Sequence, residues 1–178
     1  MTDDQSIVQL AVKDPTNGFK RLMDKYKGAV YWHVRRMVVT HEDAQDATQE
    51  TFIRIYRSLS QYKQETSLRS WIYRIATNEA LRLIGKRRNH EVSMDDTLME
   101  LNTMTADEYV DFTDVEAVKL QQAILSLPAK QQLAFNLRYY DELEYDEIAA
   151  ITGGSAASAK QNYHIAKEKI IKQMQTNQ

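Results

Sequence analysis

Asp46, Gln49 and Glu50 stand at i, i+3 and i+4 in the stretch DATQETFIRIYRSLSQY, a spacing that on a helix gathers two carboxylates and an amide into one surface patch. Phe52, Ile55 and Tyr56 fall largely on other sides, so the patch looks outward. Further on, Ser67-Leu-Arg-Ser opens a second helical pattern. Trp71, Ile72, Ile75 and Ala76 recur along it at helical spacing, with Arg69, Arg74, Arg82, Lys86, Arg87 and Arg88 distributed over its length. Basic residues interleaved with Tyr62, Trp71 and Tyr73 suit a nucleic-acid strand, because cations meet phosphates and ring faces accept unstacked bases. The same spacing also fits a core tryptophan and solvated basic faces, so periodicity alone leaves both readings open.

Other chemistries are excluded or find no support. With no cysteine, disulfides, thiolate metal sites and cysteine nucleophiles are ruled out. The four histidines, His33, His41, His90 and His164, lie far apart and form no HExxH pattern, so neither a metal nor a cofactor is expected. A helical enzyme needs convergent titratable groups, and the chain offers only solvated helix faces and scattered histidines. No small-molecule substrate is expected.

The elements that must position these residues read almost entirely as helix. Five glycines and two prolines leave little hairpin chemistry in 178 residues, and the 43% hydrophobic content is enough for ordinary packed cores. Helices are expected over about 4–12, 18–39, 42–58 and 67–88, the last capped by Ser67, with a loop over 59–66. These four bury one core. Helical spacing returns over 114–126, Pro128 sits where a first helical position tolerates it, and a helix follows over 131–140. A short helix over 144–151, a Thr152-Gly-Gly turn and a longer helix from a Ser155 cap to about 174 complete the chain. That last pair has the dimensions of a helix-turn-helix, with Ala149 and Gly153 where the motif needs a small residue and a left-handed turn. An ordinary helical hairpin has the same spacing. As a DNA reader, the second helix would offer Ala157, Ser158, Lys160, Gln161 and His164 to a groove, and Lys167 and Lys169 to phosphates.

The net charge of −2 runs against a free nucleic-acid binder. It hides an asymmetry: from Asn89 to Val118 there is no Lys or Arg, but nine acids from Glu91 to Glu116. The expected architecture is therefore all-α, two small helical domains at 1–88 and 114–178 joined by a flexible acidic linker over 89–113. Free DNA affinity should be low. No apolar run approaches the roughly 20 residues of a membrane span, and the acidic N-terminus is unlike a signal peptide, so no membrane insertion and a cytoplasmic location are expected.

With these residues in view, the chain resembles the extracytoplasmic-function (ECF) sigma factors of bacterial RNA polymerase. DATQETFIRIYRSLSQY is similar to that family's D-x-x-Q-E-x-F block, followed by S-L-R-S-W-I-Y-R-I-A-x-N. Near the C-terminus, L-P-A-K-Q-Q-L-A-F-N-L-R-Y-Y, Y-D-E-I-A and G-x-S-x-x-S-x-K-x-x-x-x-x-A resemble its second domain. The resemblance implies a promoter-specificity subunit with regions 2 and 4 on a flexible linker and no catalysis of its own. Asp46, Gln49 and Glu50 match positions that dock on the clamp coiled coil of the polymerase's largest subunit, and an acidic and amide face suits a basic helical partner. The loop from Tyr62 through Lys63 to Ser67 matches the one that captures a base flipped from the minus-ten element. Asn78 matches the adjoining pocket, and Arg69, Arg74 and Arg82 are candidates for phosphates.

The C-terminal pair resembles the reader of the minus-thirty-five element. The family commonly has basic residues where this chain has Asn162 and Ile165, and larger apolar ones where it has Gly154 and Ala159. Lys160 is left as the main cation on that face, so weak upstream affinity, a modest core and dependence on the polymerase are expected. The implied partners are core RNA polymerase, promoter DNA and an anti-sigma factor. The alternative, a stand-alone helix-turn-helix regulator, would be a basic protein dimerising on a palindrome.

Overall fold

The structure is a computed structural model and describes residues 1–38, 40–88 and 114–176, so the expected linker over 89–113 lies outside the described residues. Every element among the described residues is helical: α1 (Asp3–Lys13), α2 (Pro15–Met37), α3 (His41–Ser58), a 3-10 turn at Leu59–Gln61, α4 (Leu68–Arg88), α5 (Val115–Leu125), α6 (Ala129–Tyr139), α7 (Tyr145–Thr152) and α8 (Ala156–Thr176). The chain divides into two compact units, α1–α4 and α5–α8.

In the first unit, α1 begins with a capping box in which Thr2 and Gln5 satisfy each other's backbone N–H groups. Asp14 ends α1 and caps α2, its side chain accepting from the Asn17 amide at 3.2 Å. Pro15 sits in the first turn, where its missing N–H costs nothing, so α2 starts three residues earlier than periodicity from Gly18 implied. Gly18 permits the tight α1–α2 crossing: a Cβ there would stand 2.3 Å from the Ala11 Cα. Charges close the same junction, with Arg21 and Lys25 on Asp3, and Lys25 and the Tyr26 hydroxyl on Asp4 at 2.6 and 2.8 Å.

Ile7, Leu22, Val30, Val34, Ala44, Phe52, Ile55, Ile72 and Ala76 meet in one apolar core, fed by a stripe from each of the four helices. Polar side chains are buried in this unit too, His33 and Arg35 among them. His33 is fully buried with Nε2 2.8 Å from the Thr77 hydroxyl, and Arg35, 1% exposed, donates to the Val38 carbonyl.

In the second unit α8 is the axis on which α5, α6 and α7 pack. Asp114 caps α5 through the amides of Glu116 and Ala117. Pro128 is the residue before α6 rather than its first, and α6 accordingly begins at Ala129. Ala123, Ile124, Phe135, Ala166 and Ile170 form the core. Arg138 ties α6 to α7: it donates to the Leu143 carbonyl at 3.0 Å, pairs with Glu144 at 3.5 Å and lies 4.8 Å over the Tyr145 ring. Asn136 is buried among the apolar residues of α6, and among the described residues neither side-chain polar atom has a hydrogen-bond partner.

Candidate functional site

Three surfaces carry the residues singled out from the sequence. On α3, Asp46 and Gln49 are exposed and Glu50 is half-buried, while Ala47 and Thr51 turn inward. The expected patch therefore forms. Asp46 and Glu50 share a groove with Glu79, Arg82, Leu83 and Lys86 of α4. Glu50 pairs with Arg54 at 3.6 Å; Arg54 also pairs with Glu79, which takes Arg82 at 2.9 Å. Arg82, read from sequence as a phosphate contact, thus reaches a carboxylate on the rim of the α3 patch.

The second surface follows the 3-10 turn. The Tyr62 hydroxyl donates to the Thr66 carbonyl at 2.5 Å and its ring lies 5.0 Å from that of Trp71, closing the loop on itself. Burial, then the charge of Asp4, raises the Tyr62 phenol pKa and keeps it a neutral donor. Gln64 takes φ +59°, as a tight loop tip requires. Lys63 and Ser67 are exposed, and the Ser67 hydroxyl accepts from the Ser70 amide at 3.1 Å, capping α4 as its position implied.

Arg74 and Asn78 are exposed one turn apart. Asn78 lines a recess with Arg54, Arg57, Ser58, Gln61, Ile75 and Glu79. Arg69 is half-buried, and its charge acts on the Tyr26 phenol, so it faces a different side from Arg74. Periodicity did not single out Arg54, Arg57, Gln61 or Glu79. The i,i+4 spacing of Glu50 and Arg54 was a signal for the first of these and the i,i+3 spacing of Glu79 and Arg82 for the last, whereas the Arg54–Glu79 pair joins separate helices.

The third surface is α7, its turn and α8. Gly153 and Gly154 take φ +82° and +90°, and the Gly153 amide returns to the Ala149 carbonyl at 2.8 Å. The small residue at 154 is therefore demanded by the turn. Ser155 and Ser158 cap one another, each amide donating to the other's hydroxyl at 3.1 Å, so the Ser158 hydroxyl is already engaged at the helix start. Ala157, Lys160, Gln161, His164 and Lys167 are exposed and share one face, while Ala159, Ala166 and Ile170 are buried. Lys169 donates to Gln131 of α6 at 2.9 Å, a contact within the unit. Among the described residues no cluster of His, Asp or Glu could hold a metal ion, and no helix is long and apolar enough to cross a membrane.

Comparison with known proteins places both units. Residues 22–90 match the model of sigma-70 region 2 and residues 117–170 that of sigma-70 region 4. The ECF RNA polymerase sigma factor SigW of Bacillus subtilis is 30% identical over 171 residues, covering 91% of each chain. The ECF RNA polymerase sigma-E factor of Escherichia coli K12 is 29% identical over 181 residues, covering 97% of this chain and 94% of that one. Among solved structures, CnrH in complex with the cytosolic domain of CnrY superposes with a TM-score of 0.74 at 16% identity over 98% of this chain and 99% of that one. The sigma factor RpoE in complex with the anti-sigma factor NepR from Bartonella quintana gives 0.67 at 18% identity over 90% and 98%. These two show a shared fold.

Proposed function

We propose a working division of this chain from the premise that it belongs to the ECF sigma factors of bacterial RNA polymerase. As a member of that family it binds core polymerase and directs promoter-specific transcription initiation. In the proposed division, Asp46, Gln49 and Glu50 dock on a basic helical surface of the polymerase, where charge sets orientation and rate. The Tyr62–Ser67 loop and the Asn78 recess take a base out of the stack at the downstream element. Unstacking costs about a few kcal/mol, offset by ring contact and edge hydrogen bonds. Lys63, Arg69 and Arg74 meet phosphates, as does Arg82 where its pairing with Glu79 allows. Ala157, Lys160, Gln161 and His164 read the upstream element, Ser158 sets the helix start, and Lys167 meets phosphate.

The bond-forming chemistry belongs to the polymerase; this chain supplies recognition and brings no cofactor. The solved neighbours were captured with CnrY and the anti-sigma factor NepR, and an inhibitor of that kind is proposed here too, acting in the cytoplasm where the polymerase works.

The observation that carries the reading is the pairing, on one chain, of an outward acid-and-amide patch with a glycine-turned helix pair whose polar face is open. The test is reconstitution with core polymerase on a promoter library. Charge reversal at Asp46 and Glu50 is expected to weaken core binding and redirected initiation while helicity is kept. Loss of helicity would mean a buried network had been mistaken for a docking face, and tight selective binding to promoter DNA by the chain alone would favour a stand-alone regulator.

A further inference from the structure

Behind the docking patch lies a chain of ion pairs that crosses from α3 to α4. Arg54 stands between two carboxylates: Glu50, at 3.6 Å, belongs to the patch, and Glu79 on α4 is the nearer. The Glu79 side chain is 5% exposed, against 47% for Arg54 and 49% for Arg82. A carboxylate withdrawn from water gains more from a cation than an exposed one does, so Glu79 has the stronger hold on Arg54. Glu50 is 35% exposed and can lose its intramolecular partner to solvent or to an incoming basic side chain.

We propose that Glu79 is a positioning residue for polymerase docking: it draws Arg54 away from Glu50, so that the Glu50 carboxylate stays available, and it holds Arg82 on the rim of the groove that Asp46 and Glu50 share. The inference rests on the docking role of Asp46 and Glu50. Without the Glu79 charge, Glu50 is the carboxylate left to Arg54 among the described residues, and Arg54 competes directly with the partner's cations for it. The competition follows from charge alone, so it weakens as salt rises. Because both arginines are half-exposed, they can turn to water when Glu79 is neutralised, and the change falls on binding more than on folding.

Binding of the full chain to core polymerase is measured at low and physiological salt for Glu79→Gln, Arg54→Met, the double variant and Asp46→Lys. Exposed ion pairs are worth up to a factor of about five, so Glu79→Gln is expected to weaken binding by about that factor at low salt and by less at high salt. Arg54→Met binds at least as tightly as the unaltered chain, and the double variant recovers the loss because the competing cation is gone. A merely structural role for Glu79 would leave the double variant as weak as the single one. Unchanged affinity in Glu79→Gln, or a loss that Arg54→Met does not relieve, overturns the inference. Should Glu79→Gln fail to fold, Arg54→Met alone decides, and binding weaker than the unaltered chain overturns it. Undiminished binding by Asp46→Lys is a separate outcome, which removes the docking role on which the inference stands.

Discussion

Acidification from pH 7 to pH 5 should selectively loosen the first unit, because His33 is built into its core as a neutral ring. The imidazole is fully buried, contacts Thr77 at 2.8 Å and lies 5.0 Å from the Tyr73 ring. Burial, reinforced by the charge of Arg36, pushes its pKa down to about 3 from the usual 6.5. A base with a depressed folded-state pKa binds fewer protons folded than unfolded, so the stability it contributes is present above about 6.5 and is lost as pH falls from there toward 3. With those two values the loss between pH 7 and pH 5 is about 2 kcal/mol, rising by about 1.4 kcal/mol for each further unit until the folded ring itself titrates.

Both tryptophans, Trp32 and Trp71, lie in the first unit, so urea unfolding followed by tryptophan fluorescence reports on that unit. His33→Gln keeps a neutral hydrogen-bonding side chain, and the difference between its pH dependence and that of the unaltered chain isolates His33 from His41 and the carboxylates. Identical pH slopes in the two proteins would refute a buried neutral imidazole.

Three further outcomes test the second unit. Asn136→Leu should raise its stability by about 1 kcal/mol, since a buried amide without partners carries a desolvation cost that an apolar side chain of similar size does not; amide exchange along α6 measures this, and faster exchange would contradict it. Gly154→Ala should cost about 1–2 kcal/mol, because φ is +90° and the added Cβ would stand 2.9 Å from the Ser158 hydroxyl; melting of the α7–α8 pair at an unchanged temperature would count against that strain. Replacing Lys160 and Gln161 with alanine should alter upstream-element preference in transcription by the reconstituted polymerase and lower the salt dependence by about one phosphate contact; unchanged preference would move recognition off this face.

Several of these features were legible before any fold was known, because they are set by neighbours three or four residues apart. The Asp46–Gln49–Glu50 patch, the Ser67 and Ser155 caps and the shared face of Lys160, Gln161 and His164 all follow from helical geometry. Caps and turns shifted some boundaries, as at Pro15 and Pro128, where the proline fixes the helix start more firmly than apolar spacing does. Apolar periodicity did not single out how some side chains were already engaged, even where, as for Ser158 and Arg82, the partner stands three residues away. Ser158 caps its own helix, Lys169 reaches Gln131, and Arg82 meets Glu79, each removing part of a side chain's freedom to contact DNA.

By itself, then, the sequence determined the helical class, the outward faces and the glycine turn, since each depends on local periodicity and backbone freedom. The tertiary structure decided which charges are neutralised and which titrating group is kept dry. Glu79 and Arg54 are 25 positions apart and His33 and Thr77 are 44 apart. Such pairs arise only when packing brings separate helices together and removes water from between them, and that loss of water sets their strength.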